Sequence, residues 1–289
     1  MLVASNRWTL DVPVVGVWFE VPSHEIEVSS QADGVIAMGG GSAIDTAKHA
    51  SAQTGLPVVS IPTTYSGAEW TPSYGVRTPE RKMVGGGGGA RLAAIVYDVG
   101  LTLGLPRPET VGTAMNALAH CAEALYVKGR NDAADRRALE GAALIAEWLP
   151  HVVEEPGDRG ARLMLLHGAA AGGEALALAG LGVTHAMAQA LGGRYGLAHG
   201  AMNALCLPPG LRFAAEQAPE AVMRFEVATR GVGIEGLARL AGFEQLRDFG
   251  VPEADLPEVA EAAALRAGNQ NMPRPATPGE IEGLLRSIY

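Results

Sequence analysis

The sequence predicts an α/β N-terminal domain on a shortened parallel sheet, followed by an all-helical C-terminal domain, and three observations carry that prediction. Short apolar runs alternate with a helical stretch in the first third, a glycine turn links strand to helix, and strand-like runs nearly vanish beyond Pro108. Residues 14–19 and 33–38 read as buried strands, and Gly39-Gly40-Gly41-Ser42 follows the second directly. Residues 43–54 read as a helix ended by Gly55, and 56–62 as a return to strand. Strand, glycine turn, helix, strand is the pattern of a parallel sheet covered on both faces. Residues 93–98 read as a further strand, and the glycine run 85–89 before it as a mobile loop. Segments 110–128, 133–149, 159–179, 184–192 and 219–243 read as helices, punctuated by Pro and Gly. The boundary is expected near residue 105, giving domains 1–105 and 106–289. Clefts between domains are where small-molecule sites usually lie.

At 289 residues, 48% hydrophobic and 18% charged, the chain has the composition of a folded protein with a sizeable core. Its net charge of −9 speaks against nucleic acid or an anionic membrane as partner. Cys121 and Cys206, each in an apolar run, are too few for a disulfide framework or a zinc-thiolate site and read as buried thiols. No signal-peptide core opens the sequence and no uncharged apolar run has the length and character of a membrane helix, so a cytoplasmic protein is expected.

Gly39, Gly40, Gly41 and Ser42 sit where a strand passes into a helix. Glycines bring backbone N–H groups against a ligand, and a helix N-terminus adds unpaired donors and partial positive charge, a combination suited to a pyrophosphate. Ser42 is expected as N-cap or ligand contact. The loop is neither G-x-G-x-x-G nor a Walker motif. A second constellation lies in the helical half. Asn116 and His120, at i and i+4, share a helix face with Glu123 nearby; His185 and Gln189 repeat that spacing, and His199 adds a third histidine.

GGGSAIDTAK, followed 14 residues later by PTTYSGAE, resembles the cofactor region of the iron-containing alcohol dehydrogenases and their dehydroquinate-synthase-like relatives. The resemblance implies a dinucleotide-binding domain using NADH or NADPH. It also implies that Gly40, Gly41 and Ser42 bind the pyrophosphate, that Thr63 and Thr64 contact phosphate and ribose, and that Asp45, Thr71 and Lys82 lie near the nicotinamide half. In the metal-dependent members one Asp and three His hold iron or zinc. His120, His185 and His199 match the histidines, and Asn116 stands where the Asp would be. Replacing an anionic ligand by a neutral amide removes a full charge from a divalent site. The segment from Met115 to Tyr126 resembles that of the maleylacetate reductases, which work without metal. The implied reaction is NAD(P)H-dependent reduction of 2-maleylacetate to 3-oxoadipate, with no metal expected. Asn116, His120, His185 and His199 would be catalytic, as donors or protonated groups, and Tyr65 and Gln189 would face a small carboxylate-bearing keto substrate.

Gln189 departs from both branches, which usually place a histidine there, and the stretch 198–204 reads more like the alcohol dehydrogenases. Two alternatives therefore stand beside the reductase: an iron- or zinc-dependent alcohol dehydrogenase using His120, His185 and His199, and a shortened paralogue without activity. The resemblance spans about residues 33–210, with a weaker echo at 271–275. Family members carry a longer N-terminal domain, so the adenosine side of the cofactor site is expected to be incomplete. Exposed strand edges in a shortened sheet lead to the expectation of a homodimer.

Overall fold

The structure, a computed structural model, describes residues 1–5, 8–80 and 82–289. Its first part comprises β1 (Leu2–Ala4), β2 (Val17–Trp18), β3 (Val35–Gly39), helix α1 (Gly41–Thr54), β4 (Pro57–Pro62), β5 (Tyr74–Arg77), β6 (Met83–Gly87) and β7 (Arg91–Ile95). Five of these strands form a parallel sheet in the order β2-β1-β3-β4-β7. Alternation along the central strands sorts their side chains by face. Val3, Val35, Ala37 and Val58 pack with Ile44 and Ala47 of α1 on one side. Leu2, Ala4 and Met38 pack with Trp8 and Leu101 on the other. The chain passes from β1 outward to β2, then returns to place β3 on the other side of β1. The connection thus reverses direction between β1 and β3, and in open α/β sheets ligands lie outside the carboxyl ends of the strands at such a point.

Two expectations are corrected here. The sequence revealed no strand at the start of the chain, yet β1 is almost fully buried and pairs with β2 and β3. The residues ahead of Asp33 thus add two strands to the sheet. The glycine run is no loop: it forms β6, which pairs antiparallel with β5. Glycine 87 fits because Tyr74 lies across it; a Cβ there would meet the Tyr74 hydroxyl at 2.8 Å.

The second part is helical: α2 (Arg107–Ala124), α3 (Asp132–Glu154), α4 (Arg159–Ala179), α5 (Val183–Tyr195), α6 (His199–Ala215), α7 (Pro219–Ala228), α8 (Ile234–Arg239), α9 (Leu256–Ala264), α10 (Ala267–Gln270) and α11 (Pro278–Arg286). Helix α2 is the axis of this bundle, buried almost continuously from Thr110 to Ala124. Its neighbours approach through glycines: a Cβ on Gly141 of α3 would meet Cys121 Sγ at 2.7 Å, and one on Gly172 of α4 would meet the Ala117 carbonyl oxygen, also at 2.7 Å. The helix expected over 219–243 is two, because Arg230 and Gly231 both take positive φ and end α7. Helix α6, containing Pro208 and Pro209, was not expected. Among the described residues no single helix is long and apolar enough to cross a membrane; α4 and α5 together reach the length but are bent by 102°.

Candidate active site

Two cavities meet where the sheet faces the bundle. The smaller, about 280 Å³, lies at the reversal between β1 and β3, lined by Ser5, Gly39, Gly40, Gly41, Ser42 and the side chains of Thr63 and Thr64 among others. Helix α1 opens it. Its N-cap is Gly40, no side chain caps it, and no acidic residue stands in its first turn. Ser42 is therefore not the N-cap; it sits inside the first turn, facing both cavities. The first N–H groups of α1 are left to an anion. Two observations fit a pyrophosphate. Thr64 Oγ1 is buried without a hydrogen-bond partner among the described residues. A Cβ on Gly40 would fall 2.9 Å from Thr64 Cγ2, so only glycine leaves the cradle open.

The larger cavity, about 1020 Å³, shares Gly41, Ser42 and Thr113 with the first and runs on into the bundle. Asn116 and His120 of α2, His185 and Gln189 of α5, and His199 of α6 line its far end. The helices bring the three imidazoles into one group: His120 stacks on His185 at a centroid distance of 4.6 Å, and His185 lies 5.7 Å from His199.

A hydrogen-bond network fixes this group. Asn116 Nδ2 donates to the Ser66 carbonyl at 2.8 Å, which turns Oδ1 toward His185 Nε2 (3.2 Å) and Asn203 Nδ2 (2.8 Å). His185 Nδ1 is 2.6 Å from Glu123 Oε2, and its backbone N–H donates to Glu123 Oε1 at 3.1 Å. The His185 ring is thus fixed between a carboxylate and an amide oxygen. Asn203 Nδ2 also approaches His199 Nε2 at 3.0 Å. The same amide nitrogen donates to the His199 carbonyl at 3.2 Å, and His199 Nδ1 is buried with no hydrogen-bond partner among the described residues. Burial, then His185 and His199, holds His120 well below its ordinary value. His199 is lowered likewise by burial, His185, Arg77 and Arg266. The sequence-based reading allowed each histidine to be protonated or a donor; burial disfavours the charged form of His120 and His199, and His185 is the one with a carboxylate partner.

Asn116, His185, Asn203 and His199 are joined by these contacts, while His120 stacks on His185 with its Nδ1 unpartnered among the described residues. Among the described residues no three His, Cys, Asp or Glu side chains are arranged to hold a metal ion. The amide N–H of Asn203 is aimed at the very nitrogen and oxygen, on His199 and Asn116, that a cation would need. Asn116 offers a neutral amide whose oxygen is already taken by His185 and Asn203, so the group lacks an anionic oxygen at that position.

The pattern described as "Fe-containing alcohol dehydrogenase family, C-terminal" matches residues 110–289, and "Iron-containing alcohol dehydrogenase" matches 25–96. The chain belongs to the iron-containing alcohol dehydrogenase family. It is a nicotinamide-dependent oxidoreductase, which sets aside the inactive-paralogue reading. It is 35% identical to maleylacetate reductase 1 of Rhodococcus opacus over 266 residues, 90% of this chain and 74% of that protein. The maleylacetate reductase of Burkholderia cepacia is also 35% identical, over 89% of this chain and 74% of that one. Among solved structures, maleylacetate reductase from Rhizobium sp. strain MTP-10005 superposes with TM-score 0.81 at 33% identity, covering 89% of this chain and 74% of that chain. A 1,3-propanediol oxidoreductase does so with TM-score 0.81 at 28% identity, covering 90% and 78%.

The remaining predicted residues of this family member divide clearly. Thr71 and Asp45 line the larger cavity, but Asp45 is held by Lys48 at 2.8 Å and by the Gly75 N–H at 3.1 Å. Lys82 is exposed near the β5–β6 turn and lines neither cavity. Tyr65 is also away from the substrate: it is fully buried in the bundle core, its hydroxyl accepting from Arg162 at 3.2 Å. Sequence reasoning set Glu123 beside Asn116 and His120 but gave it no role, and passed over Asn203. Glu123 follows Asn116 and His120 at i+7 and i+3, and Asn203 follows His199 at i+4, so helical spacing carried the signal for both.

Proposed function

We propose that the protein is a metal-independent NAD(P)H-dependent reductase of the maleylacetate type, reducing 2-maleylacetate to 3-oxoadipate. The observation that carries this reading is the Asn116 amide: its oxygen is committed to His185 and Asn203 where the metal-dependent branch would place an anionic ligand. Relatives at 33–35% identity named as maleylacetate reductases support it.

The residues around the smaller cavity, Gly40, Gly41, Ser42, Thr63 and Thr64, would hold the pyrophosphate, and the bound nicotinamide supplies the hydride. Hydride addition to the carbon–carbon double bond conjugated with the ketone breaks the π bond and moves negative charge onto the ketone oxygen. His199, whose buried Nδ1 has no hydrogen-bond partner among the described residues, and neutral His120 are placed to stabilise that charge. His185, held by Glu123, delivers a proton to the adjacent carbon, completing the balance of one hydride and one proton. Glu123 orients the ring through Nδ1. Gln189 hydrogen-bonds substrate without taking part in proton transfer.

The test is consumption of NADH or NADPH with 2-maleylacetate, by protein as purified and after dialysis against EDTA, alongside elemental analysis. Turnover indifferent to chelation upholds the reading. Activity lost with chelator and restored by Fe²⁺ or Zn²⁺ would favour the alcohol dehydrogenase reading, which the likeness to 1,3-propanediol oxidoreductase supports. Oxidation of simple alcohols without maleylacetate turnover removes the substrate assignment.

A further inference from the structure

Part of the wall of the larger cavity is the corner between α4 and α5, together with Ala267, Gly268 and Asn271. The two helices meet at 102° across Gly180, Leu181 and Gly182. Gly180 makes the corner with φ +85° and ψ −175°, a backbone open to glycine almost alone. So sharp a turn leaves carbonyls at the end of α4 without helical partners. Asn271, which follows α10, takes two of them. Its Nδ2 donates to the Ala179 carbonyl at 3.2 Å and to the Leu181 carbonyl at 2.9 Å. Asn271 is itself anchored: its own N–H donates to the Ala267 carbonyl at 2.9 Å, and its carbonyl accepts the Lys128 N–H at 2.8 Å. Gly268 lies against the same corner, where a Cβ would run into the Gly182 carbonyl oxygen.

The corner sets where α5 begins. Its N-cap is Gly182, which has no side chain to cap the helix. The cap comes from α2 instead: Glu123 Oε1 accepts the backbone N–H of His185 at 3.1 Å, and a Cβ on Gly182 would lie 2.9 Å from that oxygen. The second carboxylate oxygen lies 2.6 Å from His185 Nδ1. One carboxylate thus caps α5 and fixes the ring at once, and both contacts depend on the position of the first turn of α5. Glu123 meets that turn from α2, and Asn271 ties the chain just ahead of it from α10.

We propose that Asn271 is a positioning residue for His185: its two hydrogen bonds to the α4–α5 corner place the first turn of α5 so that Glu123 reaches the backbone and the ring of His185 together. The assignment rests on the role given to His185 in the reductase reading, but the state of the His185 ring is measured without turnover.

Asn271→Asp keeps the size of the side chain, removes both donors and sets a carboxylate against two carbonyl oxygens. Asn271→Ser keeps one donor. In full-length protein labelled with ¹³C-histidine, the His185 imidazole resonance is identified by its absence from His185→Gln. It is expected to shift in N271D and to shift less in N271S. With maleylacetate, kcat is expected to fall roughly 10- to 100-fold in N271D and less in N271S, with KM little changed. NADH affinity, unchanged in the variants, certifies the fold; where N271D fails that check, N271S carries the comparison against wild type. A raised KM with kcat intact would mean that Asn271 acts on the substrate directly, and overturns the proposal. A lowered melting temperature with kcat and the His185 resonance unmoved would make Asn271 a purely structural strap, and also overturns it while leaving the reductase intact. A His185 resonance that depends on Asn271 in a protein without maleylacetate turnover removes the reductase reading and upholds the positioning.

Discussion

The glycine loop and the histidine–amide group face the same space but are built on opposite principles. The loop uses backbone N–H groups, a bare helix N-terminus and short hydroxyls, all within one βαβ unit, and it leaves only 2.9 Å between a would-be Gly40 Cβ and Thr64 Cγ2. The histidine group uses long side chains from α2, α5 and α6, each fixed by another: Ser66 sets Asn116, Asn116 and Glu123 set His185, and Asn203 sets His199. The lesson is that binding here depends on what is left out, and chemistry on what is held in place. Changes in the loop should move cofactor affinity; changes in the group should move kcat.

The largest break in that contrast comes from His185→Gln, which keeps a donor but removes the transferable proton. Its kcat is expected to fall on the order of 1000-fold while the NADH dissociation constant, read by fluorescence titration, stays put. A fall in cofactor affinity instead would mean that the two regions are not separable. Gly40→Ala sharpens the other side: NADH should bind roughly 10- to 100-fold more weakly, with kcat recovered at saturating cofactor. Persistent loss of kcat at saturation would count against the loop as a binding element. Asn116→Asp probes the amide directly. By restoring a negative charge beside three imidazoles it is expected to raise Zn²⁺ affinity at least about tenfold in equilibrium dialysis; an unchanged affinity would show that the Asn203 contact, not the missing charge, keeps cations out.

The smallest effect is in pH. Burial holds the folded-state pKa of His120 and His199 below the ordinary histidine value of about 6.5. The unfolded chain therefore takes up protons first, and stability present above pH 6.5 is lost as pH falls below it. Each group contributes a slope of up to about 1.4 kcal/mol per pH unit. Denaturant unfolding between pH 7 and pH 5 should show a shallower loss in His120→Gln than in wild type, whereas Gly40→Ala should keep the wild-type slope. Identical slopes in wild type and His120→Gln would contradict a neutral buried His120.

The same contrast explains what could be read from the sequence. The parallel sheet, the glycine loop and the helical half were legible because apolar periodicity and glycine placement are local signals. The histidines were legible because i, i+4 spacing on α2 and α5 marks a face before any neighbour is known. Strand β1 escaped notice because three residues are too few to show alternation. Strand β6 escaped because glycines carry no side-chain pattern, and its pairing with β5 is a tertiary fact. Helix α6 was hidden by Pro208 and Pro209, which ordinarily end helices. Arg77 and Arg266 lie far apart in the chain, on a hairpin and a turn, and nothing local announces that they share a cavity wall. Tyr65 was misplaced because a tyrosine beside two threonines reads as part of their loop, while the fold turns its ring into the bundle.

Lys48 has a mechanical consequence. From the second turn of α1 its ammonium reaches the carbonyls of Ala68 and Ser73, at 2.8 and 2.5 Å, while Asp45 takes the N–H of Gly75. The helix whose tip opens the glycine loop is thereby riveted along its flank to the strand that carries Arg77. Loop and hairpin are two ends of one rigid bar, so a displacement of the hairpin would be felt at the tip of α1.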